Sequence, residues 1–302
     1  MRVAFLGTTA FAVRVLAVLA GSAQHRPALV VTPPDRPRGR GRRTSKPPAA
    51  EAAIDLGLEL HQTESVNLDG SRRALAAAEV DVGVVCAFGQ LIREPLLSDL
   101  YLLNVHPSLL PRWRGAAPIE RTIMAGDSRT GVAIARVTAG LDSGPVALLE
   151  KVGIEPDDDY GSLAERLAGR AGPLAVRALD LRGANRLEFT EQDDAAATYA
   201  AKIEPGERLL DPSRPAIELE RQVRALHPHI GAQLELEGGE RLGVRCASVV
   251  PEEVPAGVLA AIDGRLVLGC GEGALEILSV QPAGGKSMAS ADYLRGHPLP
   301  RA

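Results

Sequence analysis

Apolar positions follow two regimes along the chain. In the first part they form short continuous runs separated by helix-period stretches; toward the end they form brief runs divided by glycine-containing turns. Arg2-Val-Ala-Phe-Leu-Gly7 reads as a buried strand ending at a glycine turn. Phe11, Val15, Leu16 and Leu19 then recur at helical spacing, with Thr8 or Thr9 placed to cap that helix. Further strands are expected at Ala28–Thr32, Asp81–Ala87, Tyr101–Val105 and Gly131–Val137, and helical patterns at Glu51–Leu56 and Ser162–Leu181. Residues 33–48, rich in Pro, Gly and Arg, read as a loop. Helical stretches between successive strands imply right-handed crossovers. The expected class is therefore α/β: a mainly parallel, Rossmann-like sheet with helices on both faces. Ligands of such sheets sit beyond the carboxyl ends of the strands. Ala87-Phe88-Gly89-Gln90 and Asn104-Val105-His106 both fall there.

The pattern changes near residue 184. Gly183 to Tyr199 loses apolar periodicity and is rich in Asp, Glu, Ala and Thr, as expected of a linker crossing a surface. A helix is expected at Ala216–Leu226, with Pro215 at its start. Five short strands follow: Gln233–Leu236, Arg241–Val250, Gly257–Ile262, Arg265–Leu268 and Ala274–Ser279. They suggest a small, OB-like β-barrel. The expected organisation is a domain over 1–184, a linker over 185–203 and a second domain over 204–302.

Composition supports this division. At 302 residues and 45% hydrophobic content the chain is long enough for two cores. The opening apolar run is too short to span a membrane and lacks the layout of a signal peptide. A cytoplasmic protein is expected and, with two self-contained domains, a monomer. The three cysteines, Cys86, Cys246 and Cys270, are odd in number and widely spaced, so Cys86 is expected as a buried free thiol.

Charge adds one feature. The net charge of −4 conceals an excess of five positive charges between Asp35 and Lys46, so the rest of the chain carries −9. Prolines and glycines exclude a regular helix there. Arg36, Arg38, Arg40, Arg42, Arg43 and Lys46 would then sit on a mobile arm able to contact phosphates. The same composition also describes an ordinary solvated loop. Residues 205–302 carry 13 acidic and 10 basic residues, so this part would bind nucleic acid through one face rather than by net charge.

The chemistry concentrates at Asn104, His106 and Asp142. On an extended segment, Asn104 and His106 project to the same side. A histidine taken alone is more often a satisfied core residue, and an aspartate between glycines often only shapes a turn. Together, however, an amide donor, a titratable ring and an acid beside it suit attack of an amine on an acyl or formyl carbon. Other chemistries lack their signatures: there is no GxGxxG, Walker A, HExxH or G-x-S-x-G sequence. His227-Pro228-His229 alone is weak support for a metal, and Ser108 is a weaker reading as a nucleophile.

Asn104-Val-His106, the 108–119 segment Ser-Leu-Leu-Pro-Arg-Trp-Arg-Gly-Ala-Ala-Pro-Ile, and Gly140-Leu-Asp-Ser-Gly144 resemble the signature of the methionyl-tRNA formyltransferase family. The resemblance continues through Pro34-Asp-Arg-Pro37, Ala197-Thr-Tyr-Ala200 with Lys202, and Gln281-Pro-Ala-Gly284 with Lys286 and Met288, so it spans nearly the whole chain in order. It implies transfer of a formyl group from 10-formyltetrahydrofolate to the α-amine of methionine on initiator tRNA. Asn104 and His106 would hold the formyl oxygen as it becomes an oxyanion. Asp142 would orient His106, support its charge and help remove a proton from the amine. The folate site would use Phe88, Gly89, Gln90, Leu91 and Ile92, with Ser108, Leu109, Leu110, Pro111 and Thr138. The basic residues of the 35–46 loop would enter the acceptor-stem region while the OB-like domain holds the stem from its other side. No metal is expected.

Three segments depart from the family pattern: Gly7-Thr-Thr-Ala-Phe11 in place of Gly-Thr-Pro-Asp-Phe, Thr44-Ser-Lys-Pro-Pro48 in place of Pro-Ser-Pro-Val-Lys, and His227-Pro-His229 in place of an Asn-Pro-Trp type. They bear on acceptor contacts and remove no catalytic group. Two alternatives stay open. One is a formyltransferase acting on an amino sugar nucleotide. The other is a non-catalytic RNA-binding module, which leaves the Asn, His and Asp set unexplained.

Overall fold

Val3, Ala4, Phe5 and Leu6 are all fully buried, so β1 (Val3–Gly7) has no solvent face. A strand covered on both sides needs a continuous apolar run rather than an alternating one. The computed structural model describes residues 1–38 and 43–300. After β1 come α1 (Ala10–Gly21), β2 (Pro27–Thr32), β3 (Arg36–Arg38), β4 (Arg43–Ser45), α2 (Pro48–Asp55) and β5 (Leu60–Gln62). Next are α3 (Asp69–Ala77), β6 (Val82–Cys86), α4 (Leu96–Asp99), β7 (Tyr101–His106), β8 (Arg114–Gly115) and α5 (Pro118–Met124). They are followed by β9 (Arg129–Arg136), β10 (Val146–Gly153), α6 (Tyr160–Gly183) and β11 (Tyr199–Ala200).

Seven strands form one sheet in the order β10-β9-β7-β6-β1-β2-β5. The run from β7 to β5 is parallel, whereas β9 and β10 are antiparallel. The α/β expectation of a mainly parallel sheet therefore holds, with an antiparallel margin, a common addition to such sheets. On one face Ala4, Leu6, Leu29, Val31, Val85 and Leu102 pack with Leu75, Leu96 and Leu100. Helix α1 packs on β1 and β6, and α2 on β2.

The basic segment corrects the loop expectation. β3 and β4 pair as an antiparallel hairpin, with Arg36 opposite Ser45 and Arg38 opposite Arg43. Arg40 and Arg42 lie outside the described residues.

The chain divides into two compact units, each assembled from separate stretches of sequence. The first comprises Met1–Pro118, Arg129–Gly153 and Ala164–Ala200. The second comprises Ile119–Ser128, Ile154–Leu163 and Ala201–Ala302. In the second unit, α7 (Ala216–Leu226) precedes β12 (Ala232–Glu235), β13 (Arg241–Val250), β14 (Leu259–Ile262), β15 (Arg265–Gly269), β16 (Ala274–Gln281), β17 (Met288–Ala289) and α8 (Ser290–Gly296). The strands make one antiparallel sheet, β12-β13-β16-β15-β14, with β17 added to β16, consistent with the expected small barrel. Register shifts between Val244 and Ala247 interrupt the β13–β16 ladder, the kind of irregularity that bends a strand.

The earlier stretches are bound into this unit by side chains. Arg121 donates to both carboxylate oxygens of Glu207 at 2.6 and 3.0 Å. His229 lies 2.9 Å from Glu120 and stacks on Tyr160, their ring centroids 3.6 Å apart. Burial, reinforced by the charge of Glu120, pushes the Tyr160 hydroxyl up to about 12. Among the described residues no helix is long and apolar enough to cross a membrane.

Candidate active site

Leu102, Asn104 and His106 alternate onto one face of β7. That face is apolar at Leu102, which joins the core cluster of Leu6, Val31 and Phe88, and turns polar at Asn104. In the neighbouring strand Ala135 lies beside Asn104 and Ala133 beside His106. Both alanines are buried, and Leu110 packs on them.

Asp142 reaches the same face from the loop between β9 and β10. Its Oδ1 accepts from Asn104 Nδ2 at 2.9 Å, and its Oδ2 accepts from the Gly115 N–H at 2.8 Å. His106 Nδ1 lies 3.6 Å from Oδ2, within ion-pair range but beyond a hydrogen bond. The carboxylate therefore bonds to the amide and the backbone, and bears on the ring through its charge. The ring is oriented instead by Trp113, whose carbonyl oxygen is 2.8 Å from Nε2. A carbonyl can only accept, so Nε2 carries a proton and Nδ1 is the nitrogen turned toward Asp142. His106 is 4% exposed, which fixes this orientation further.

Three side chains that sequence reasoning passes over complete the surroundings. Gln192 Nε2 donates to the carbonyl oxygens of Asp142 at 2.8 Å and Gly144 at 2.6 Å. Arg114, 3% exposed, donates from Nε to Gln192 Oε1 at 3.0 Å and from Nη2 to Asp194 at 2.7 Å. Thr198 Oγ1 accepts from the Trp113 N–H at 2.9 Å. In sequence the segment that carries Gln192 and Thr198 reads as a plain linker. It instead pairs with the first unit, Tyr199–Ala200 running parallel to Arg114–Gly115 and Thr190 bridging Val146. Linker-like composition hides this because the pairing partners lie far away in sequence.

The residues assigned to folate divide into several kinds. Phe88 and Ile92 are buried in the core beneath the loop, and Leu110 packs on Ala133 and Ala135. Gln90 turns away to accept from the Val66 N–H at 2.7 Å and donate to the Thr63 carbonyl at 3.2 Å. Gly89 sits at φ +76°, turning the chain between them. Ser108 is fully buried, its hydroxyl donating to the Arg112 carbonyl at 2.6 Å, which shapes a turn. The Pro111 carbonyl accepts from the Thr198 N–H, and Thr138 Oγ1 lies 3.4 Å from Ser143 Oγ. Leu109 reaches over Gly131 of β9. Leu91 and, on the Asp142 loop, Leu141 are more than half exposed, so both loops offer apolar surface.

Of the basic residues, Arg36 pairs with Glu64 at 3.2 Å and Lys46 with Asp35 at 3.5 Å. Both pairs are solvent-exposed enough to be weak and exchangeable. Arg38 and Arg43 are backbone register partners in the hairpin.

Comparison with known proteins identifies the family. The formyl transferase family model matches residues 1–179, and that of the formyl transferase C-terminal domain matches residues 202–298. Fold and site thus define a formyl transferase. Two curated relatives are methionyl-tRNA formyltransferases. That of Methylococcus capsulatus is 42% identical over 99% of this chain and 98% of its own. That of Halorhodospira halophila is 43% identical over 99% and 97%. The chain belongs to the methionyl-tRNA formyltransferase family. Among solved structures, WlaRD, a sugar 3N-formyl transferase, superposes with a TM-score of 0.64 at 16% identity over 95% of this chain and 99% of that one. HypX from Aquifex aeolicus, in complex with tetrahydrofolic acid, gives 0.65 at 18% identity over 97% of this chain, which spans only 47% of that one. At these identities the likeness is one of fold.

Proposed function

We propose that this protein transfers the formyl group of 10-formyltetrahydrofolate to the α-amino group of methionine on initiator methionyl-tRNA, for translation initiation. The observation that carries the reading is the convergence of Asn104, His106 and Asp142 on one face of β7 beside two alanines. 10-Formyltetrahydrofolate supplies the formyl carbon. Asn104 has two amide N–H donors; one is engaged by Asp142, and the second serves the formyl oxygen as negative charge develops on it. Because Nε2–H is held on the Trp113 carbonyl and Nδ1 carries no proton, His106 does not share the formyl oxygen with Asn104 as expected but acts through Nδ1. It takes the proton of the amine as the amine nitrogen bonds to the formyl carbon, and returns it to N10 of the folate as the C–N10 bond breaks and tetrahydrofolate leaves. Asp142, 3.6 Å from Nδ1, supports the positive ring that results.

The 88–92 loop, Ser108–Pro111 and Thr138 form the folate pocket in this reading. Phe88, Ile92 and Leu110 shape it from beneath, Gln90 anchors its loop, and Leu91 and Leu141 offer apolar surface to a ring. The acceptor stem is contacted by Arg36, Arg38, Arg40, Arg42, Arg43 and Lys46 on one part of the chain and by a face of the second unit. A monomer in the cytoplasm belongs to the same proposal. The acceptor is chosen by identity above 40% over nearly the full chain to curated methionyl-tRNA formyltransferases, against 16% to the sugar enzyme.

The deciding assay offers 10-formyltetrahydrofolate with charged initiator tRNA, charged elongator tRNA and an amino sugar nucleotide in parallel. Formylation of initiator tRNA well above the other two is expected. Formylation of the sugar alone would overturn the reading.

A further inference from the structure

Two residues of the constellation occupy the left-handed backbone region without being glycine: Asp142 at φ +48° and Trp113 at φ +62°. Such residues persist where their surroundings over-determine them. Here both are held by the same distant segment, residues 190–200. Gln192 takes the Asp142 carbonyl, and Thr198 takes the Trp113 N–H. The Trp113 carbonyl in turn holds His106 Nε2, and the Gly115 N–H in the strand paired to this segment holds Asp142 Oδ2.

We propose that Gln192 is a positioning residue for formyl transfer, and that residues 190–200 brace the catalytic constellation at Asp142 and Trp113. The orientation of the Gln192 amide is forced. Arg114 Nε can only donate, so it must meet Oε1, and this turns Nε2 onto the two carbonyls. The bond from Arg114 aims an amide that has no other way round. Its two acceptors, Asp142 and Gly144, flank the turn that presents the Asp142 carboxylate to Asn104 and the ring. Loss of the bond frees that turn, and a displacement of about 1 Å at reacting groups can cost on the order of 100-fold in rate. The inference rests on the catalytic reading of Asp142 given above.

The test uses the full chain with 10-formyltetrahydrofolate and charged initiator tRNA. Gln192→Leu keeps the bulk and removes the donor; kcat is expected to fall about 10- to 100-fold, the upper figure being the cost of a displacement of about 1 Å at reacting groups. Both KM values should stay within about twofold, because Gln192 does not itself bind either substrate. In an Asp142→Asn background the same change should cost little more, since groups acting through one another are non-additive. Wild-type kcat in Gln192→Leu overturns the proposal, as does an equal loss in both backgrounds. If Asp142→Asn itself keeps wild-type turnover, the catalytic reading fails instead, so the two failures are told apart. Should Gln192→Leu not fold, Thr198→Val tests the other arm of the brace. It should lower kcat at constant KM and shift the limb of the pH–rate profile carried by His106; an unchanged kcat and profile would overturn the brace.

Discussion

Asp142 is the residue on which the geometry turns, because its two carboxylate oxygens bond to different elements and its charge faces a third. Asp142→Asn keeps the shape but removes that charge, so kcat is expected to fall by on the order of 100-fold or more. The thermal midpoint should stay within a few degrees; turnover near wild type would refute the role. The cysteines give an independent check on packing. Cys86 and Cys270 are buried and Cys246 is exposed. Burial pushes the Cys86 thiol up, and pushes Cys270 up to about 11. A thiol reagent should label the native protein at Cys246 alone and the other two only after denaturation. Labelling of Cys86 in the native state would show that the sheet opens there. At this scale Asn104 and His106 were legible because strand alternation is a local rule. The Trp113 carbonyl and the Gly115 N–H were not, since backbone groups carry no side-chain identity, and Gln192 joins Asp142 from 50 residues away.

Among the elements, the short pair of β8 and β11 does most to connect the site to its support. Gly115 has φ +122°, and a Cβ there would lie 2.7 Å from the Ala200 carbonyl oxygen. Gly115→Ala should therefore destabilise the protein by about 1–3 kcal/mol and also lower kcat, read by denaturant unfolding and by turnover. An unaffected variant would mean that the two strands part easily. The basic hairpin carries a different expectation. Replacing Arg40, Arg42 and Arg43 with Ala should raise KM for tRNA and reduce its salt slope by about 0.7–0.9 for each phosphate no longer neutralised. Folate binding should be spared, and an unchanged slope would leave the segment an ordinary solvated one. Elements with strong periodicity or continuous apolar runs, such as β1, β6, β7 and α7, were legible. Those missed had weak signals or lay at an edge: in α3 only Ser71 and Leu75 are buried, β8 and β11 are two residues long, and β10 is an edge strand with no fully buried residue.

For the whole molecule, the telling feature is that each unit is built from separate stretches of chain. Arg121, from the middle of the sequence, holds the Glu207 carboxyl below its ordinary value through its hydrogen bonds. A depressed folded-state value means that the pair's stabilisation is fully present above the unfolded-state value of about 4.3. It is lost as pH falls through the lower folded-state value. Glu207 is over a third exposed, so the pair contributes at most about 1 kcal/mol. Arg121→Ala should therefore lower the thermal midpoint at pH 7, and the gap to wild type should narrow below about pH 4, leaving the part due to the Arg121 bond to the Ala201 carbonyl; a gap constant with pH would exclude this origin. A fragment of residues 201–302 alone, lacking Arg121, Glu120 and Tyr160, should melt below the corresponding transition of the full chain.

The sequence by itself determined the α/β class, the run of short C-terminal strands and the shared face of Asn104 and His106, because each follows from periods of two or 3.6 residues or from turn residues within a short window. Only the tertiary structure decided that the 190–200 stretch hydrogen-bonds to Asp142 and Trp113, that a main-chain carbonyl sets the tautomer of His106, and that the Asp142 carboxylate bonds to an amide and a backbone N–H rather than to the ring. Those outcomes depend on backbone groups and on partners brought together from distant positions, which no local pattern records.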